Sequence, residues 1–237
     1  MKAIILAAGV GSRLFAPDKQ GSKVLLPVGG GAVIDYTLNA FALCDLTDLA
    51  IVVGYDGAGV KRWVGDGSRF GLRVEYIHNP EYLLGNAVSL YAARFFVKDE
   101  TFILSMADHM VSPELIRRIV DFPESSNVLG VDFDPSPLEA EEGTRVKVES
   151  GVVKNIGKGL NDWNGIDTGV FRLNPAVFGA LEHITSTNKR HEYQLSEAIQ
   201  RMVDSDHTLF TCDVSGVFWQ DIDTRDDLDL VRSVVAG

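Results

Sequence analysis

The sequence predicts an α/β domain in which a mainly parallel sheet is covered by helices on both faces. Three observations predict it. Short apolar runs alternate with segments of helical spacing as far as Val120, the pattern of strand–helix crossovers. The 237 residues are 46% hydrophobic and 23% charged, enough apolar material for one sizeable core. No stretch of linker composition divides the chain, so residues 1–237 read as a single domain.

The elements follow in order. Lys2–Ala7 is a short, almost wholly apolar run suited to a strand buried on both faces, and a loop bearing Gly, Ser and Pro runs on to Gly21. After the turn Gly29-Gly30-Gly31, Val33–Leu43 carries Val33, Tyr36, Leu38, Ala40 and Phe41 at helical spacing. Leu49–Val53 is a second strand, Val60–Val64 a short helix, and Leu72–Ile77 alternates as a strand does. Val88–Val97 reads as one helix with Leu90, Ala93 and Phe96 inward, and Thr101–Met106 as another buried strand. Ser112-Pro113 opens a helix to Val120, with proline at the first helical position. Beyond residue 126 the pattern changes. Val128–Asp132, Thr144–Glu149, Val152–Ile156 and Asp167–Leu173 read as strands, with Glu149-Ser150-Gly151 as a hairpin turn. Pro175–Leu181 and Leu195–Met202 read as helices, and Thr224 with Asp227 has the spacing of a capped helix start running to Val235. Pro123–Ser126 and Asp134–Gly143 read as loops.

Charge narrows the partners. Lys and Arg number 22 against 33 Asp and Glu, a net charge of −11 that repels nucleic acid. The N-terminus runs the other way: residues 1–24 carry Lys2, Arg13, Lys19 and Lys23 against Asp18 alone. A basic, glycine-bearing segment on an acidic body suits a small phosphorylated ligand better than a polymer. No apolar run approaches the roughly 18–20 residues that cross a bilayer, and the apolar part of the start is too short for a secretory signal. The expectation is a cytoplasmic protein without direct membrane insertion. Cys44 and Cys212 lie in apolar surroundings without CxxC spacing and read as buried thiols. The five histidines show no metal-ligand spacing such as HExxH, so no histidine zinc site is expected.

In open α/β sheets ligands bind at the carboxyl ends of the strands, which points to the loops after Leu6, Met106 and Ile156 and around Trp219. Leu6-Ala7-Ala8-Gly9-Val10-Gly11-Ser12-Arg13-Leu14 follows the first strand directly. Glycines at 9 and 11 let the backbone approach an anion, and successive amide N–H groups can cradle phosphate oxygens. Leu14 stands where the dinucleotide fingerprint needs its third glycine, and no Gly-Lys-Ser/Thr completes a P-loop. A purely structural tight turn is the plain alternative for Gly-x-Gly alone. Arg13 and Lys23, the latter in Ser22-Lys23-Val24-Leu25-Leu26-Pro27-Val28, set two cations around this loop. Asp108 closes a strand, where a carboxylate suits either a divalent cation or a helix cap. Asp221 and Asp223, in Trp219-Gln220-Asp221-Ile222-Asp223-Thr224, face one way if extended. Gly85-Asn86-Ala87-Val88-Ser89-Leu90 opens a helix with polar residues that serve as caps or as ligand contacts.

Leu-Ala-Ala-Gly-x-Gly-Ser-Arg-Leu followed by Lys-x-Leu-Leu-Pro-Val resembles the signature of the nucleotidyltransferases that make NDP-sugars and related activated alcohols, and the resemblance runs from residue 1 to about 235. It implies a Rossmann-like, three-layer α/β/α domain with a mainly parallel mixed sheet and a small acceptor-binding β extension. Residues 1–126 would form mainly the nucleotide-binding half and 127–237 mainly the acceptor half. It implies nucleotide contacts from Leu6, Ala7, Ala8, Gly9, Gly11, Ser12, Arg13, Lys23, Gly85, Asn86 and Ser89, with Arg13 and Lys23 catalytic, and Mg2+ held by Asp108 and Asp221. Asp223 falls where many sugar enzymes have glycine, so it reads as a supporting or helix-capping residue. The Gly-Asn-x-x-Ser-Leu form is closer to inositol-1-phosphate and phosphocholine cytidylyltransferases than to hexose enzymes. Thr144–Glu149, Ile156–Leu160 and Ile166–Phe171 look like the acceptor half of the inositol enzymes. That places Lys158 on the acceptor phosphate and Asp167, Thr168 and Gly169 against its hydroxyls. Lys147 is a further candidate that a surface ladder charge explains equally well, and Trp163 reads as core.

Two departures bear on the acceptor. Ser22 replaces the commoner proline before Lys23, and the segment Leu14–Ser22 has hexose-type length. In archaeal inositol enzymes a membrane phosphotransferase domain often follows. This sequence stops at Gly237, so the expected partner is a separate membrane CDP-alcohol phosphotransferase that uses the product. The expected reaction joins an NTP, CTP by preference, to inositol 1-phosphate or a similar cyclitol or sugar 1-phosphate and releases pyrophosphate. The alternatives are a phosphocholine- or phosphonate-type cytidylyltransferase, a hexose-1-phosphate nucleotidyltransferase, and a non-catalytic sensor, which has no need of both metal carboxylates. Leu14 and the flanking cations disfavour a dinucleotide oxidoreductase.

Overall fold

A computed structural model describes residues 1–11, 14, 21–123, 127–187 and 191–236. Strand β1 (Lys2–Ala7) is buried along its whole length after Lys2. Two short antiparallel strands, β2 (Pro27–Val28) and β3 (Gly31–Ala32), lead into helix α1 (Val33–Ala42). The chain continues through β4 (Asp48–Val53), α2 (Gly57–Val64), β5 (Arg73–His78), α3 (Asn86–Ala92), α4 (Arg94–Val97) and β6 (Phe102–Met106). Strands β5, β4, β1 and β6 lie side by side and parallel.

The second half contains β7 (His109–Val111), α5 (Pro113–Val120), β8 (Asn127–Asp132), α6 (Pro137–Glu142), β9 (Arg145–Glu149), β10 (Val152–Gly157) and β11 (Gly165–Leu173). It closes with α7 (Ala176–Thr187), α8 (Leu195–Asp204), β12 (Leu209–Asp213), β13 (Trp219–Asp221) and α9 (Arg225–Ala236). Strand β11 adds antiparallel to β6 and extends one sheet in the order β5-β4-β1-β6-β11-β8-β12-β10-β9. Strand β9 also pairs with β11, so the far end of the sheet curls back on itself. Strands β7 and β13 form a separate antiparallel pair in which Asp221 stands opposite His109.

Period-two alternation assigns the core. Ala3 and Ile5 face α1, α2 and α5, where they join Phe41, Val60 and Ile116, whereas Ile4 and Leu6 join Leu90, Val177 and Ile199 from α3, α7 and α8. Each buried side chain of this size contributes about 1.5–3 kcal/mol. The result is three layers, with α9 packed by Leu228 and Val231 over β2 and the β7–β13 side. Among the described residues no helix is long and apolar enough to cross a membrane.

The hairpin turn at Glu149–Gly151 forms with Ser150 and Gly151 both left-handed, the conformation a two-residue hairpin turn requires. Thr224 caps α9: Asp227 N–H donates to its Oγ1, and its own N–H donates to the Asp227 carboxylate. Other expectations needed correction. The helix expected over Val88–Val97 is two helices that part at Ala93, whose ψ of 1° leaves the helical range. Asp134–Gly143 contains α6, because Ser136 and Glu139 close a reciprocal capping box around Pro137. Strands β7, β12 and β13 were not anticipated. They span only three to five residues and take their stability from pairing across the fold, which local patterning does not display.

Candidate active site

A cavity of about 420 Å3 opens where β1 and β6 end, bounded by Leu6, Ala8 and Gly9 on one side and by Lys158, Asp167 and Gly169 on the other. Asp108, Asp221 and Asp223 line it as well, and Lys23 is ion-paired to two of them. Lys23 begins a short 3-10 turn (Lys23–Leu25) and is almost fully buried. Gly11 makes room for it: its φ is +64°, and a Cβ there would lie 2.9 Å from Lys23 Cβ. Lys23 Nζ sits 2.6 Å from Asp108 Oδ2 and 2.5 Å from Asp223 Oδ1. Asp108 stands two residues beyond the end of β6. Asp221 ends β13, and its Oδ1 is buried without a hydrogen-bond partner among the described residues.

His109 is the member of this cluster that sequence reasoning missed. Its Nδ1 lies 2.9 Å from the Thr168 carbonyl, and its Nε2 faces Asp221 Oδ2 at 3.6 Å and Asp108 Oδ1 at 3.9 Å. The ligand-type atoms of Asp108, His109 and Asp221 lie within 4.8 Å of one another. The one local signal was its position directly after Asp108; the rest of the set arrives from β13, 112 residues on by sequence, so no spacing rule reveals it.

The electrostatics follow from this crowding. Burial alone would push the Lys23 ammonium down, but the carboxylates of Asp108, Asp221 and Asp223 hold it well above the ordinary lysine value. Burial would raise Asp108, yet the charges of Lys23 and His109 keep it below its usual range. His109 is likewise disfavoured by burial and pushed up to about 10 by Asp221 and Asp108. Asp167 is different. Burial raises its carboxyl to about 6, and the Gly169 N–H, 2.7 Å from Oδ1, offsets this only in part.

The remaining predicted residues divide clearly. Leu6, Ala8 and Gly9 line the cavity, and a Cβ built on Gly9 would meet nothing within 4 Å. Ala7 points to the opposite face of β1 and packs in the core, while Ser12 and Arg13 lie outside the described residues. Gly85, Asn86 and Ser89 line the cavity too. Asn86 Oδ1 accepts the Leu195 N–H at 2.7 Å and ties α3 to α8, and Ser89 Oγ accepts from Asn79 Nδ2 at 3.0 Å.

On the opposite side Lys158, Asp167 and Gly169, expected to meet the acceptor, face the cavity, and any side chain at Gly169 would strike the His109 ring. Two expected contacts lie elsewhere. Thr168 is fully buried, with its hydroxyl donated to Gly130 O at 2.9 Å and its carbonyl engaged by His109. Lys147 turns away to an ion pair with the exposed Asp162 at 2.6 Å, because alternation along β9 directs it opposite to the buried Val146 and Val148. Trp163 is partly buried against the core and is stacked by Arg145. The wall also gains Glu139 and Glu142 from α6, and Glu192 and Gln194 ahead of α8, none of them anticipated. The Ser136-Pro137-x-Glu139 capping box was the signal that could have found the first two.

The described geometry has clear relatives. The chain is 32% identical over 236 residues to the bifunctional IPC transferase and DIPP synthase of Rubrobacter xylanophilus, covering 99% of this chain and 52% of that protein. It is 32% identical over 242 residues to the protein of the same description from Archaeoglobus fulgidus, of which 45% is covered. The chain thus spans about half the length of these relatives. Among solved structures, the inositol-1-phosphate CTP transferase from T. maritima superposes with a TM-score of 0.86 at 27% identity, covering 99% of this chain and 94% of that one. The family model described as nucleotidyl transferase matches residues 2–233. With that match across nearly the whole length, and an acidic, lysine-bearing cavity at the ends of the parallel strands, the chain belongs to the nucleotidyl transferase family and is an enzyme of that class.

Proposed function

We propose that this nucleotidyltransferase moves CMP from CTP to inositol 1-phosphate, or to a similar cyclitol or sugar 1-phosphate, and releases pyrophosphate. The observation that carries the reading is the convergence of Asp108, Asp221 and Asp223 on one cavity, with Lys23 ion-paired to the first and last of them and Lys158 and Asp167 on the far wall. The similarity to an inositol-1-phosphate CTP transferase and to the IPC transferases supports CTP and the cyclitol.

The acceptor phosphate arrives ionised, so its oxygen needs no protein base to attack the α-phosphorus; pyrophosphate leaves from the opposite side with the electron pair of the broken bond. What the chain supplies is in-line positioning and charge compensation. The backbone from Leu6 to Gly11 cradles the triphosphate, and Ser12 and Arg13, the next residues in the sequence, belong to the same proposed contact set. Lys23 offsets charge growing at the α-phosphate, and Asp223 aims its ammonium. Gly85, Asn86 and Ser89 border the base. Lys158 lowers the repulsion as two anions meet, and Asp167 accepts from acceptor hydroxyls. Lys147, held by Asp162, takes no part.

Asp108 and Asp221 fit a divalent cation: their oxygens are hard donors, and Asp221 Oδ1 is buried with no hydrogen donated to it among the described residues. Mg2+ held there would draw charge from the reacting phosphates. Residues 1–126 act mainly on the nucleotide and 127–237 mainly on the acceptor. The setting is the cytoplasm, with a membrane CDP-alcohol phosphotransferase activity consuming the product.

The test is a matrix of the four NTPs against phosphate monoesters, scored by pyrophosphate release. CTP with inositol 1-phosphate is expected to be fastest. A maximum with dTTP or UTP and glucose 1-phosphate would move the acceptor to the hexose class, which a 29%-identical glucose-1-phosphate thymidylyltransferase of Streptomyces griseus represents. No release from any pair would leave a sensor.

A further inference from the structure

We propose that His109 is a third ligand of the cation held by Asp108 and Asp221, giving an O,O,N site that discriminates among divalent metals. This rests on the reading of those two aspartates as metal ligands.

The geometry is that of a ligand set, with donor atoms of Asp108, His109 and Asp221 within 4.8 Å of one another. Nε2 stands 3.6 Å from Asp221 Oδ2 and 3.9 Å from Asp108 Oδ1, too far for hydrogen bonds to either. Donor atoms around a cation bound at about 2.0–2.2 Å lie roughly 3–4 Å apart. The ring is aimed by its other nitrogen: Nδ1 lies 2.9 Å from the Thr168 carbonyl, the kind of support that metal-bound imidazoles receive. Gly169 presses on the same ring, since no side chain fits there without striking it. Strand pairing fixes the third side by placing Asp221 directly opposite His109. Lys23 does not compete for the position, because it holds Asp108 through Oδ2 whereas His109 faces Oδ1.

A nitrogen donor changes selectivity. Carboxylates alone suit Mg2+ and Mn2+, while an imidazole strengthens binding of later transition ions and of Mn2+ relative to Mg2+. Loss of His109 should therefore narrow the gap between metals.

The test reads the metal, not turnover. Mn2+ is titrated into the protein by electron paramagnetic resonance, alone and with nitrogen-free inorganic pyrophosphate, and electron spin-echo modulation records nitrogen at the bound ion. The expected result is 14N modulation that converts to 15N when only histidines are 15N-labelled. The label needs no substitution, so it stands even if a variant misfolds. In His109→Ala the modulation is lost, Mn2+ affinity falls by about tenfold or more, and the preference for Mn2+ over Mg2+ shrinks. Mn2+ bound to wild type without histidine modulation, and equally well to His109→Ala, would overturn the proposal and leave a carboxylate-only site standing. Failure of wild type to bind Mn2+ under either condition would overturn both.

Discussion

On the β1–β6 side of the cavity, charges from opposite ends of the sequence are already matched: Lys23 lies between Asp108 and Asp223, the latter 200 residues away. On the β9–β11 side, Lys158 has no ion pair among the described residues, and Asp167 is buried with its carboxyl pushed up to about 6. The first wall is held in place by its own ion pairs, as a preorganised electrostatic site would be. The second leaves a cation and a carboxyl for the acceptor to satisfy. On the proposed reading the first wall serves the reaction and the second the choice of acceptor, and substitutions should divide accordingly.

The largest effect is expected on the first wall. Asp108→Ala should lower turnover by roughly 10²–10³, the scale of losing a preorganised electrostatic group, with KM for the acceptor changing far less. Unchanged turnover in the folded variant would dissolve the contrast.

Asp167 gives the next effect, through stability. Its carboxyl moves from 3.8 to about 6 on folding. A raised acid favours the folded state below about 4, and that advantage is lost as pH rises through 6. By linkage the difference is about 2–3 kcal/mol. Asp167→Asn should thus be more stable relative to wild type at pH 8 than at pH 4 by about that amount in denaturant titrations. A pH-independent difference would mean the carboxyl is not held in a desolvated state.

Lys158→Ala should raise the acceptor KM about 10–100-fold, as expected for one charge-assisted hydrogen bond, while sparing the KM for CTP. Equal rises would assign Lys158 to the triphosphate. Smallest of all, Lys147→Ala should change the acceptor KM less than about twofold and stability by under about 1 kcal/mol, since its ion pair is exposed. A large effect would return Lys147 to the acceptor site.

The sequence was most readable where chemistry is local. The Ala8–Gly11 loop follows its strand, Ser112-Pro113 opens α5, and the turn at Ser150-Gly151 has its expected form. Asp108 and Asp221 could be named because the resemblance to the nucleotidyltransferase signature maps onto them, whereas the strand end alone left Asp108 open between cation ligand and helix cap. What stayed hidden depends on pairing across the fold. His109 becomes a neighbour of Asp221 only through the β7–β13 register, and Asp223 meets Lys23 only when α9 is docked. Thr168 misled for a related reason: one residue along β11 from Asp167, it belongs to the other face of the strand and is spent on Gly130. Acidic α6 had no apolar stripe to reveal it, only its cap.

The most direct measurement is 31P NMR of CTP, inositol 1-phosphate and a divalent cation incubated with the protein. The account predicts pyrophosphate and a new phosphoanhydride formed in equal amounts, both suppressed in Asp108→Ala. Pyrophosphate accompanied by free CMP, or an unchanged spectrum, would contradict it.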